Sequence, residues 1–278
     1  MALALLHPSA TLDWWAWSIH PSTVLGLAVL AAAYEWRANR RAQNESLGVG
    51  RRLSFLAALL VIFVSLNGPI HDLSDVYLFS GHMVQHLLLT LAMPPLLIGG
   101  VPGWMLRPIL RKSVVAAGAR WLTRPVTCFV IFNVVIAAWH LPALYNAAMA
   151  DHGVHIFEHL MFMSAAVLMW WPLTSQLPEL PRLPYPGQML YCFLMSIPMS
   201  IVAVYIVMAD HILYPSYSAA PRIWGLSPMD DQMLGGLIMW VPGGLIFIIM
   251  MSVVFFKWAA RGEDHSAGAQ VDWKPGTA

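Results

Sequence analysis

The sequence predicts an all-α, polytopic membrane helix bundle with seven transmembrane helices, the N-terminus outside and the C-terminus in the cytoplasm. Three observations carry that reading. Of 278 residues, 59% are hydrophobic and only 10% are charged, whereas soluble domains carry about 25% charge. Seven stretches approach the roughly 17–25 apolar residues that a hydrocarbon core asks of a helix. Fourteen of the fifteen basic residues fall on one side of the membrane so defined.

The seven spans are 21–36, 52–69, 82–101, 125–141, 155–172, 187–208 and 231–257. Pro198 predicts a kink in the sixth, because proline removes a backbone donor and crowds the preceding turn. Gly235, Gly236, Pro242, Gly243 and Gly244 predict irregularity or close packing in the seventh. Arg37, Arg40, Arg41, Arg51 and Arg52 follow the first span; Arg107, Arg111, Lys112, Arg120 and Arg124 follow the third. Arg182 follows the fifth, and Lys257, Arg261 and Lys274 end the chain; Arg222 alone faces the other way. Basic loops stay cytoplasmic, which sets the orientation. Trp14, Trp15 and Trp17 then fall where an outer aromatic belt belongs.

Residues 104–122 are expected to form an amphipathic helix on the inner interface. Residues 1–261 form a single transmembrane domain in this reading, and 262–278 a polar tail without ordered structure. The first residues lack a basic n-region, and Pro8 and Asp13 interrupt their apolar run, so they are expected to be retained rather than cleaved. Cys128 and Cys192 form no C-x-x-C pattern and lie toward the cytoplasmic side, so they read as packing residues.

The histidines are sorted the opposite way. Ten of eleven lie outside or at outer helix ends: His7, His20, His71, His82, His86, His140, His152, His155, His159 and His211. His265 alone lies inside. Membrane insertion requires no such sorting. "GHMVQHLLLT" (81–90) and "VHIFEHLMFM" (154–163) share H-x-x-x-H-L followed by apolar residues. Residues four apart share a helical face, with Cβ atoms about 5–6 Å apart. His82/His86 and His155/His159 can therefore each form a two-nitrogen clamp, with His140 or His211 completing or gating the site. Imidazole suits copper, zinc, iron and nickel. Glu158 is expected beside His159 as an acceptor fixing a tautomer, with Gln85 in the matching place beside His86. His71, His152, Asp231, Met83 and Met233 are further candidates at the same depth. The single interfacial histidines His7 and His20 read as solvated side chains.

No G-x-x-x-x-G-K-[ST] loop and no G-x-S-x-G elbow occurs, and "HIFEH" is not H-E-x-x-H. Phosphate, acyl-transfer and metalloprotease chemistries therefore have no motif to rest on. Polar groups gather at one end of the bundle, which argues against a continuous ion pathway. A His-rich, Met-accompanied and Cys-free outer site favours copper, as Cu(I), over zinc; haem would need ligands on facing helices to accommodate a macrocycle.

"GHMVQHLLLTLAMPPLLIGGVP" (81–102), "WHLPALYNAAMADHGVHIFEHLMFMSAAVLMWWPL" (139–173) and "DDQMLGGLIMWVPGG" (230–244) resemble the multi-span CtaG family of cytochrome c oxidase assembly factors. The matching positions are His82, His86, His140, His155, His159 and Asp231. The resemblance implies a non-enzymatic role in making active heme-copper oxidase, with copper supplied at the outer face of the bacterial inner membrane. Expected partners are the lipid bilayer, an oxidase subunit and a periplasmic copper carrier, with no nucleic acid. Two other readings stay open: a membrane oxidoreductase with a haem or copper redox centre, and a metal-free assembly scaffold.

Overall fold

The computed structural model describes residues 14, 15, 17–41 and 47–270. The N-terminal segment carrying His7, Pro8 and Asp13 and the last residues, 271–278, lie outside the described residues. So does the side chain of His265. Every regular element among the described residues is helical.

Helix α1 spans Pro21–Arg41, α2 Val49–Leu66, and the short α3 Pro69–Asp72 runs into a π-turn at Leu73–Tyr77. Helix α4 spans Phe79–Gly100, with a π-turn at Leu88–Ala92. Two amphipathic helices follow, α5 at Gly103–Leu110 and α6 at Ser113–Leu122. Then come α7 at Pro125–Trp139, α8 at Pro142–Ala150, α9 at His152–Thr174, α10 at Tyr185–Val207 and α11 at Pro228–Gln270.

Among the described residues, five helices are long and apolar enough to cross a membrane: Val49–Leu66, Phe79–Gly100, His152–Thr174, Tyr185–Val207 and Pro228–Arg261. A sixth crossing arises if Ser113–Leu122 and Pro125–Trp139, bent by 68°, act together. The bend follows from Pro125, which forces Arg124 into an extended conformation. The first and fourth expected spans are the ones that fall short. Helix α1 carries Glu35, Arg37, Arg40 and Arg41 in its last two turns, and α7 alone has only 15 residues. The stretch 104–122 is two helices rather than one, broken at Arg111 and Lys112. The last helix continues to Gln270, through part of the tail expected to be unstructured.

Large apolar side chains face outward along these helices, including Leu53, Leu60, Phe157, Leu160, Phe193, Ile201, Ile248 and Phe256. In lipid that exposure costs nothing, so association rests on close packing. At Gly235 a Cβ would stand 2.3 Å from the Phe79 ring, so only glycine lets α11 lie this close to the start of α4. The helix runs unbroken through Gly235, Gly236 and Gly243, where a Cβ would strike Phe79, Val207 and Met199, so close packing rather than irregularity is the role of these glycines.

The junction between α2 and α3 depends on Gly68. Its φ of 69° and ψ of −153° belong to a region essentially confined to glycine. A Cβ there would also stand 2.5 Å from the Trp17 ring, which stacks on Phe63 at 5.9 Å. Gly68→Ala is expected to cost about 1–3 kcal/mol, read as a lowered midpoint of thermal unfolding in detergent. An unchanged midpoint would show that this junction is not held as described.

Candidate metal centre

One proline-related contact and two carboxylate caps fix the helices that carry the paired histidines. Pro94 has no N–H for the Thr90 carbonyl four residues earlier. The Trp170 indole takes its place, donating to Thr90 O at 3.0 Å, and so clamps α9 against α4. The start of α4 is held from another helix. Its N-terminal residue Leu78 offers no side-chain cap; Asp231 on α11 does so instead. Asp231 Oδ2 accepts from Phe79 N at 2.7 Å, and Oδ1 accepts from Ser80 N at 3.0 Å and Ser80 Oγ at 2.5 Å. Helix α9 starts from its own cap, Asp151, which accepts from Val154 N at 2.9 Å.

With both helices fixed, the histidine pairs meet. The His82 and His86 ring centroids are 4.1 Å apart, and His155 and His159 are 4.5 Å apart. Across the helices, His82 lies 5.8 Å from His155 and 6.1 Å from His159, and His86 lies 5.7 Å from His159. His140, at the end of α7, closes the group 6.0 Å from His86. Its Nδ1 lies 2.7 Å from the Ile136 carbonyl. A carbonyl only accepts, so Nδ1 carries the proton and Nε2 presents a bare lone pair.

The cluster is buried, and most of its polar atoms have no partner within the protein. Both ring nitrogens of His82, His86 and His159, Nε2 of His140 and His155, and both carboxylate oxygens of Glu158 are buried without a hydrogen bond. Each such atom costs about 1–3 kcal/mol if left unmet. Each imidazole offers one nitrogen to a given ion, so these residues supply a set of ligands in composition. The donors fall into two overlapping groups whose ligand atoms lie within 4.8 Å of one another: Asp75, His82 and His155, and His82, His86 and Glu158. His82 belongs to both. Rings this close leave room for a compact ion rather than the slot a macrocycle needs between facing ligands.

Several candidates stand elsewhere. Asp231 touches none of the imidazoles, because its carboxylate is spent on capping α4. His211 is exposed and pairs with Asp210 at 2.8 Å; that contact holds the Asp210 carboxyl below its usual range. Met83 packs toward Gly235 on α11, and Met233 is exposed, so neither thioether is presented to the rings. Met163, one turn beyond His159, instead lines the adjoining cavity. Glu158 groups with His82 and His86 rather than serving His159. Gln85 bridges outward, donating to Ser65 O at 2.7 Å and lying 3.4 Å from His71 Nδ1.

Two contributors were not legible in the sequence. Asp75, in the π-turn after α3, places Oδ2 3.4 Å from His71 Nε2 and 3.5 Å from His155 Nδ1. His20, read as solvated, packs edge-on against His71 at 4.5 Å and stacks with His152 at 6.0 Å. Burial, and then the facing His71 and His152, holds its imidazolium below the ordinary range.

The sequence profile of the cytochrome c oxidase caa3 assembly factors (Caa3_CtaG) matches residues 27–261. The chain belongs to that family. With five apolar helices of spanning length, this family member is a multi-pass membrane protein. The matched region holds the whole buried cluster; His20 lies just before it. Curated relatives include uncharacterised proteins of Mycobacterium bovis and Mycobacterium tuberculosis, each 26% identical over 84% of the chain. One from Mycobacterium leprae is 24% identical over 90%. The chain spans only 38–39% of the length of these relatives. No solved structure matches.

Proposed function

We propose that this protein is a non-enzymatic assembly factor of a heme-copper oxidase, carrying copper, as Cu(I), as cargo at a histidine site on the periplasmic side of the bacterial inner membrane. The observation that supports this most is the gathering of buried histidines and Glu158 between α4, α9 and α7, with ten of their polar atoms unpartnered and two donor groups sharing His82. Imidazole donors suit copper and zinc; the oxidase client makes copper the relevant ion. In this reading the bundle has seven spans, α1 and α7 included, with the N-terminus outside. The basic residues on one side and the histidines on the other support that orientation.

His82, His86, His155, His159 and Glu158 hold the ion, and His140 offers Nε2 from behind. The overlap of the two donor groups at His82 suits ligand exchange, in which one bond forms as another breaks and no electron moves. Neutral imidazoles are required, so affinity falls at acid pH. The ion arrives from a periplasmic carrier and leaves to an oxidase subunit.

The test is the copper content of purified protein, wild type against the His82→Ala/His155→Ala double variant, with oxidase activity measured in cells carrying each. The expected result is stoichiometric copper in the wild type and its loss in the variant, with a matching loss of oxidase activity. Equal copper in both would overturn the site. Loss of copper with full oxidase activity would favour a metal-free scaffold.

A further inference from the structure

Besides the exposed His211, three described histidines lie outside the buried site: His20 before α1, His71 on α3 and His152 at the start of α9. All three line one cavity of about 290 Å³, together with His155 and His159 of the buried site. The rest of the lining is mostly apolar, formed by Leu27, Ile62, Leu66 and Leu160 among others, with Ser22 and Thr23 as its polar members. An ion in it therefore has nitrogen donors only along the histidine side.

Exposure falls steadily along that side. His152 is exposed, His20 and His71 are half-buried, and His155 and His159 are buried. Neighbouring rings stand within 6.0 Å at the outer end, His152 to His20 and His20 to His71. Asp75 then joins the two ends, with one oxygen facing both His71 and His155. Its other oxygen lies 2.6 Å from Ser74 Oγ, whose single proton it shares with the His71 carbonyl at 2.8 Å. His20 Nε2 is buried without a partner. Simple solvation explains neither that orphaned nitrogen nor the edge-on approach of His20 to His71.

We infer that His20, His71 and His152 form a separate capture site for the metal cargo, and that Asp75 passes the ion inward to His155 and the buried site. The inference rests on the buried site binding copper, as proposed above. Each step is a ligand exchange: a bond to His71 breaks as one to Asp75 forms, then to His155, and the oxidation state is unchanged. Successive donors stay close enough that the ion never has to cross the apolar wall unaided.

The experiment is copper(I) loading of the full-length protein in detergent, followed by competition with a chromophoric cuprous chelator. Wild type, His20→Ala/His152→Ala, Asp75→Asn and His82→Ala/His86→Ala are compared. The capture-site variant is expected to reach the wild-type content of tightly held copper but to load at least tenfold more slowly, which also shows that it is folded. Asp75 faces both sites, so Asp75→Asn is expected to load as slowly and to hold the buried ion less tightly. The buried-site variant is expected to keep fast, weak, chelator-accessible binding and to lose the tight ion. Loading of the capture-site variant at the wild-type rate overturns the relay and leaves the buried site standing. A wild type that takes up no copper overturns the buried site itself. Loss of all copper from the capture-site variant would place the tight ion at the outer histidines and overturn the division into two sites.

Discussion

At the proposed copper site, His82→Ala is expected to weaken binding by about 100-fold or more, a larger loss than any other single histidine substitution. The reason is position rather than chemistry. His82 is fully buried, and it alone belongs to both donor groups, with Asp75 and His155 on one side and His86 and Glu158 on the other. Removing it leaves two donors in each group. Removing His155 leaves the inner group whole, and removing His86 leaves the outer one whole. Disturbing even an outer partner of a metal ligand typically costs 10–100-fold in affinity, and losing a ligand common to both positions lies at or beyond the top of that range. His86→Ala and His155→Ala are expected near its bottom. Chelator competition on the three purified variants gives the order directly. If His82→Ala binds as tightly as His155→Ala, the two groups are not alternative positions of one ion.

Much of this site was legible in the sequence, for a local reason. The spacing H-x-x-x-H places two rings on one face of any helix, so His82/His86 and His155/His159 needed no tertiary information. The apolar length of the segments and the sorting of charge predicted an all-helical membrane bundle. Two of the gaps involve contacts between distant parts of the chain. Asp75 reaches His155 across 80 positions, and His20 reaches His71 across two helices, α1 and α2. Neither proximity leaves a periodic trace. Glu158 stands next to His159 in sequence, but adjacent helical residues point about 100° apart, so its carboxylate serves α4 instead. Met83 lies beside His82 and is turned away for the same reason. Depth alone suggested Met233 and His211, and depth does not specify which way a side chain faces. The α1 and α7 segments show the limit of hydropathy as well. Four charged residues close one, and a bend at Pro125 divides the other from its amphipathic neighbour.

Asp231 illustrates how a residue in a functional motif can act through structure. The sequence placed it among possible metal partners, and the fold gives it three donors at the start of the helix that bears His82 and His86. A carboxylate at a helix N-terminus gains from the exposed N–H groups and the helix dipole. Asp231→Ala would strand two buried backbone N–H groups and a hydroxyl, at about 1–3 kcal/mol each. We expect a loss of about 3–5 kcal/mol, the range for breaking a buried charged contact, together with loss of copper as the first turn of α4 frays. Asp231→Asn keeps one carbonyl oxygen in place to accept from Phe79 N, and it should fall between wild type and alanine in stability while retaining copper. The two variants separate capping from coordination. Were Asp231 a ligand, asparagine would lose copper nearly as completely as alanine, and neither would lower the thermal midpoint. If Asp231 is the cap of the histidine helix, stability and copper content fall together in alanine and part company in asparagine.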